Sequence, residues 1–243
     1  MKDKKVVLVT GANKGIGFEV SRQLARVGFT VLLGARDKAR GEEAASKLRS
    51  EGLDVRYVAA DLNRAVESGA RLAKQIEADF GHLDVLINNA GIVDPGDGLP
   101  GSVSIDALRR VFETNFFGTV MLTQPLLPLL RAAERGRIVN LSSGLGSLAI
   151  NSDASSPFYH AKILAYNASK AALNMFTVNL AYELRDTKIK VNSASPGYVA
   201  TDLNGHSGPL TVEEGASEIV RLAQLPDEGP TGGFFSKEGS YPW

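Results

Sequence analysis

Tyr166 and Lys170, in the run "AYNASKAAL", stand four residues apart within a helical pattern, so they share one helix face about a turn apart. A free phenol, with a pKa near ~10, exchanges protons poorly at neutral pH, and a neighbouring ammonium lowers that value by favouring the phenolate. The pair therefore offers a general acid for reducing a carbonyl, or a general base for oxidising an alcohol. A second pair, Tyr159 and Lys162, lies just upstream in "SSPFYHAKI". Its context is a loop leading into a helix, which assigns Tyr159 to the wall of a cleft or to packing. Other routes to chemistry are narrow. The chain has no cysteine, and its three histidines (His82, His160, His206) are scattered, so disulfides, thiol nucleophiles and metal sites are not expected.

The stretch "VVLVTGANKGIGFEV" runs an apolar strand into Gly11, Gly15 and Gly17 and then into a helix. A glycine turn opening a helix exposes backbone N–H groups at a positive dipole end, which suits the pyrophosphate of a dinucleotide. The spacing is T-G-x-x-x-G-x-G rather than the common G-x-G-x-x-G. Further along, Asp61 in "VAADL" could accept a hydrogen bond from an adenine amino group, or cap a helix. "NNAG", from Asn88 through Ala90 to Gly91, ends the fourth apolar run with small residues that let a cofactor pass. The second run ends in "LLGARDKAR", with Arg36 where an NAD-binding site would carry a carboxylate. Arg36 and Lys14 are the cations a 2′-phosphate requires, so NADPH is the expected cofactor and NADH the weaker one. Asp37 is assigned to capping the helix that begins at Lys38.

These residues need a frame that brings turns to one edge. Seven short β-branched runs ("VVLVT", "TVLLG", "DVRYVA", "LDVLIN", "RIVNLS", "IKVNSA", "TGGFFS") alternate with helical segments at 15–27, 38–49, 65–79, 105–131, 157–185 and 211–225. Strands joined by helical crossovers lie parallel, and nearly all-apolar strands are buried on both faces. The prediction is an α/β, Rossmann-type, doubly wound sheet of seven parallel strands with helices on both faces. The chain has 243 residues and no linker-like stretch, so one domain spans 1–243. Charge is balanced, with 27 basic and 27 acidic residues, which argues against nucleic-acid binding. No apolar run is long enough to span a membrane and no signal-peptide core follows "MKDKK", so the sequence predicts a soluble cytoplasmic protein with a small-molecule substrate.

In order and across nearly the whole chain, TGxxxGIG (Thr10 to Gly17), "NNAG", "NLSS", YxxxK and "SPGYVATD" resemble the classical short-chain dehydrogenase/reductase family. That resemblance implies Tyr166 as proton donor and Lys170 as the residue that lowers its pKa and holds the nicotinamide ribose. It also implies Ser143 as the hydroxyl on the substrate oxygen, and Asn115, in "ETNFFG", as the anchor of a water linking the lysine to solvent. Cofactor contacts are implied for Gly11, Asn13, Lys14, Gly15, Ile16, Gly17, Arg36, Asp61, Leu62, Asn88, Ala90, Gly91, Tyr166, Lys170, Pro196, Gly197, Val199 and Thr201. Ser142, next to Ser143, points to the opposite face of its strand and is assigned a structural role.

The segment between Ser143 and Tyr166 is longer than in the most compact members of that family, which places an inserted loop around 144–160 beside the site. With "GANKGIG" and "LGARDKARGEEA", it resembles the carbonyl-reductase branch, some of whose members are monomers, so monomer, homodimer and tetramer all stay open. A Gly-rich segment around 200–215 reads as a substrate lid or a connector. Ser143, Leu145, Tyr159, Tyr198 and Leu203 are the expected substrate contacts. They are mainly apolar with no arginine cluster, which favours an apolar ketone or aldehyde. The competing readings are an alcohol or hydroxysteroid dehydrogenase, a 3-oxoacyl thioester reductase, and a non-catalytic dinucleotide sensor.

Overall fold

The apolar runs become parallel strands because each alternates between two buried faces. In β1 (Val6–Val9), Val7 and Val9 pack on one side with helices α1 (Gly15–Arg26), α2 (Lys38–Ser50) and α9 (Val212–Ala223). Val6 and Leu8 pack on the other with α3 (Ala65–Phe80), α5 (Thr119–Thr123), α6 (Leu127–Ala132) and α8 (Leu164–Glu183). The computed structural model describes residues 4–243. Its remaining strands are β2 (Thr30–Ala35), β3 (Val55–Ala59), β4 (Val85–Asn88), β5 (Arg137–Leu141), β6 (Lys190–Ala194), β7 (Phe234–Ser236) and β8 (Gly239–Ser240). They form one sheet in the order β3-β2-β1-β4-β5-β6-β7-β8. The seven expected strands are parallel. An eighth of two residues is added, antiparallel to β7 through a tight hairpin. The order in which strands are added reverses between β1 and β4, and the crevice at their carboxyl ends is where such sheets receive ligands.

Two helical expectations are corrected. The segment 105–131 is not one helix: α4 (Ile105–Phe112) passes into a π-helical stretch (Glu113–Gly118), α5, a 3₁₀ turn (Gln124–Leu126) and α6. Pro125 and Pro128 remove donors from the hydrogen-bond ladder, and the π stretch widens the helix around Asn115, which is fully buried. The segment starting at 157 is turn until Leu164, where α8 begins. Tyr159 therefore lies in the turns of the inserted loop, which also holds the short helix α7 (Leu148–Ser152). Asp37 caps α2 as expected, its Oδ1 accepting from the Arg40 amide at 2.9 Å. Among the described residues, no helix is long and apolar enough to cross a membrane, and no group of three or more metal-ligating side chains occurs.

Candidate active site

A cleft of about 780 Å³ opens at the crevice between β1 and β4. Its floor is the glycine turn, which packs against the strand end so closely that side chains cannot be added. A Cβ on Gly11, where φ is +62°, would lie 2.8 Å from Ala90 Cα, and one on Gly17 would lie 2.7 Å from the Gly11 oxygen. Thr10 and Asn89 hold the two segments together. Thr10 Oγ1 accepts from the amides of Asn89 and Ala90 at 3.0 and 3.1 Å, and Asn89 Nδ2 donates to the main-chain oxygens of Thr10 and Gly11. Helix α1 starts at Gly15 with Lys14 as N-cap, no capping side chain and no acidic residue in its first turn. Its first amides thus face the cleft without an internal partner, a cradle whose donor chemistry fits a phosphate group.

Of the sequence-predicted cofactor residues, Gly11, Asn13, Lys14, Gly15, Ile16, Gly17, Arg36, Asp61, Leu62, Ala90, Gly91 and Thr201 line the cleft. Asn88 does not. Its amide is buried and donates to Thr123 Oγ1 at 3.1 Å and Asn140 Oδ1 at 2.9 Å, so it ties β4 to β5 and α5, while its neighbour Asn89 faces the cleft. Successive strand residues point to opposite faces, which exchanges their roles. Asp61 caps, its Oδ1 accepting from the Asn63 amide at the head of a 3₁₀ turn, and it also lines the cleft. Lys14 stands in the cleft wall within an exposed ion pair. Its Nζ pairs with Asp202 Oδ2 at 2.6 Å, and Asp202 Oδ1 meets His206 Nε2 at 2.7 Å. The Lys14 and His206 partners hold the Asp202 carboxyl below the usual carboxylate range. Pro196, Gly197 and Val199 are outside the cleft wall. Val199 is buried, would press on any side chain at Gly215, and its oxygen accepts from Asn204 Nδ2.

Tyr166, Lys170, Ser143 and Asn115 are not themselves lining residues of the cleft; Tyr166 and Lys170 meet behind its wall at Gly91 and Leu141. Lys170 Nζ lies 5.6 Å from the Tyr166 ring centroid and donates to the main-chain oxygen of Leu141 at 2.7 Å. A Cβ on Gly91 would stand 3.4 Å from that same nitrogen. Both side chains are almost wholly buried, and burial dominates their acidity: it pushes the Tyr166 phenol up to about 12, against a smaller lowering by the Ser143 hydroxyl, and it pulls the Lys170 ammonium down to about 8. Burial thus acts against the lowering expected from the lysine. Desolvation of the phenolate is the larger cause and the Ser143 hydroxyl the smaller opposing one, while Lys170 spends one of its three N–H groups on Leu141.

Ser143 heads the 3₁₀ turn Gly144–Gly146, its Oγ accepting from the Leu145 amide at 3.2 Å, whereas Ser142 is buried beneath α8 and reaches Lys170's main-chain oxygen at 3.5 Å. The Asn115 side chain clasps the backbone of Ile92, accepting from its N–H at 2.8 Å and donating to its C=O at 3.0 Å, and reaches Ser169 Oγ at 3.1 Å. Among the expected substrate contacts, Leu203 lines the cleft and Leu145 is half-buried. Tyr198 is half-exposed and pairs with Ser207. Tyr159 is occupied within the inserted loop, between the Lys162 ammonium 4.7 Å from its ring and the His160 ring at 5.1 Å. Phe158 packs its ring on Gly144, where a Cβ would come within 2.9 Å of it.

Sequence reasoning missed Arg40, Asn89, Ile92 and Asp202 as cleft residues. Arg40 was legible in principle, since it stands four positions after Arg36 in the first turn of α2. Asp202 was not, because its partner Lys14 is 188 residues away in sequence.

The family model described as short chain dehydrogenase matches residues 5–209. The short-chain dehydrogenase anuI of Penicillium roqueforti is 41% identical over 227 residues, covering 90% of this chain and 88% of that protein. Carbonyl reductase [NADPH] 1 of Rattus norvegicus is 34% identical, covering 99% of each. The solved structure of salutaridine reductase from Papaver somniferum superposes with a TM-score of 0.84 at 31% identity, over 96% of this chain and 100% of that one.

Proposed function

This chain belongs to the short-chain dehydrogenase family, and we propose that within it the protein is an NADPH-dependent carbonyl reductase of apolar ketones or aldehydes. The observation that carries the proposal is the meeting of Ser143, Tyr166 and Lys170 directly behind the Gly91 and Leu141 wall of a cleft whose floor ends in an uncapped helix N-terminus. NADPH is supported by Arg36 and Arg40 on the cleft wall, where the Asp37 carboxylate is engaged in capping α2, and by the NADPH in the name of the rat relative.

In this reading the glycine turn and the first amides of α1 hold the pyrophosphate, Arg36 and Arg40 the 2′-phosphate, Asp61 the adenine, and Lys170 the nicotinamide ribose. When bound, the dinucleotide supplies the hydride. Ser143 Oγ orients the carbonyl oxygen and donates to it as charge develops there. Tyr166 Oη gives that oxygen its proton, so the product is an alcohol. Burial pushes the phenol up to about 12, so it carries its proton throughout the neutral range, and the Lys170 ammonium beside it is the group that would favour the phenolate formed on transfer. Lys170 stands beside the phenolate left behind until solvent returns the proton. The exposed apolar side chains of Tyr198 and Leu203, together with Phe158 against Gly144, support an apolar substrate wall.

The test is a spectrophotometric screen of ketones and aldehydes with NADPH and NADH in parallel. Turnover of apolar carbonyls, faster with NADPH, is the expected outcome. NADPH binding without turnover across a broad panel would replace this reading with that of a dinucleotide sensor.

A further inference from the structure

Helix α8 carries Tyr166 in its first turn but does not cap itself. Its N-cap residue, Ile163, has no side chain able to accept a hydrogen bond, and the helix has no acidic residue in its first turn. The first amides of a helix have no internal partners, and here they end on two adjacent residues of the loop between β4 and α4. The Leu164 amide donates to the Gly98 oxygen at 2.9 Å, the Ala165 amide to Asp97 Oδ1 at 2.8 Å, and the Tyr166 amide to Asp97 Oδ2 at 2.9 Å. Asp97 Oδ1 also accepts from the Gly98 amide at 2.8 Å, so both carboxylate oxygens are used.

The same loop is fixed at its other points. Asp94 accepts from Arg110 of α4 at 2.7 and 3.1 Å and from the Gly96 amide at 2.9 Å, and the Ser104 amide donates to the Gly96 oxygen. At its start, Asn89 to Val93 line the cofactor cleft, and Ile92 is clasped by Asn115. Asn115 reaches Ser169, whose Oγ donates to the Tyr166 oxygen at 2.8 Å. The backbone of Tyr166 is thus held on its N–H by Asp97 and on its C=O through Ser169 and Asn115, and both braces lead back to the loop whose first residues line the cleft.

We propose that Asp97 is a positioning residue that sets Tyr166 against the cofactor floor, coupling the height of the catalytic helix to the loop that lines the cleft. The proposal rests on the reductase reading for its kinetic consequence, though not for its geometry. A displacement on the order of 1 Å at a reacting group reduces turnover by up to ~100-fold, so losing the carboxylate should act on the proton-transfer step while the glycine turn and Arg36, which lie elsewhere, keep their hold on the cofactor.

The test compares Asp97→Ala and Asp97→Asn in the full chain by steady-state kinetics, NADPH fluorescence titration and amide hydrogen exchange. For Asp97→Ala we expect kcat to fall by about ten- to hundredfold, with NADPH Kd within about twofold and fast exchange at Ala165 and Tyr166. Asp97→Asn keeps one acceptor and should recover part of kcat, and it carries the comparison alone if the alanine variant does not fold. Unchanged kcat in either folded variant, or a fall matched by an equal loss of NADPH affinity, would overturn the positioning role. If the parent turns over no carbonyl, the reductase reading fails by itself. The geometric claim is then judged by exchange alone: protected amides at Ala165 and Tyr166 in Asp97→Ala overturn it, and deprotected ones sustain it.

Discussion

Replacing Lys170 by methionine tests the buried ammonium directly, because its effect on stability should change with pH in a way that no surface lysine would produce. Burial holds Lys170 at about 8 against its ordinary 10.5, a gap equivalent to about 3 kcal/mol. Below pH 8 the folded and unfolded chains both carry the proton, and the full penalty of the buried charge falls on the folded state. Between 8 and 10.5 the unfolded chain binds more protons than the folded one, so stability rises with pH across that window. Going from pH 7.5 to 9.5 should relieve about 2 kcal/mol of the penalty. Lys170→Met removes the charge but leaves the Leu141 oxygen without its donor, a loss of about 1–3 kcal/mol. At pH 7.5 the two effects nearly cancel, so the variant should be inactive yet within about 2 kcal/mol of the parent. Urea unfolding of both proteins at the two pH values is the assay. The parent should gain about 2 kcal/mol on the variant as pH rises. Parallel stability profiles would refute the claim that the ammonium is desolvated.

Tyr166→Phe removes the proton donor and little else, so turnover should vanish while NADPH affinity, measured by fluorescence titration, stays within about twofold; residual turnover above about 1% would place the acid elsewhere. Arg36→Asp should move the ratio of kcat/KM values toward NADH, and adding Arg40→Ala should move it further, since both line the cleft at the same helix entrance. Gly17→Ala brings a methyl to 2.7 Å from the Gly11 oxygen and 3.0 Å from Ala12 Cα. It should abolish tight dinucleotide binding and lower stability in chemical denaturation by about 1–3 kcal/mol. Asp202→Asn releases Lys14 from its 2.6 Å pair and should tighten NADPH by about two- to fivefold at low salt, a gain that fades as ionic strength rises.

Much of the fold was legible because it is written in local periods. Strands that alternate between two apolar faces, helices separated by turn residues and a glycine cluster at a strand end are each encoded within a few neighbouring residues. The helix from 65, the Asp37 cap and the sequence of seven parallel strands follow from such patterns. Tyr166 and Lys170 were legible for the same reason, since a spacing of four fixes a shared helix face wherever the helix sits. Errors of detail arose where a neighbour in space, not in sequence, chose the outcome. Pro125 and Pro128 interrupt a helix that periodicity alone extends, and Asn115 sits in a widened turn that matches the backbone of Ile92, 23 residues away.

What the sequence by itself determined, then, is the order of elements, the cradle at the glycine turn and the shared helix face of Tyr166 and Lys170. Tertiary structure alone decided which asparagine of "NNAG" faces the cleft, that Lys14 pairs with Asp202, that Asp97 caps a helix 68 residues downstream, and that burial pushes the Tyr166 phenol up. The physical reason is common to all four. Strand register, charge pairing, a helix cap delivered from a distant loop and the loss of water around a phenol depend on which segments the sheet brings together, and no local spacing encodes that.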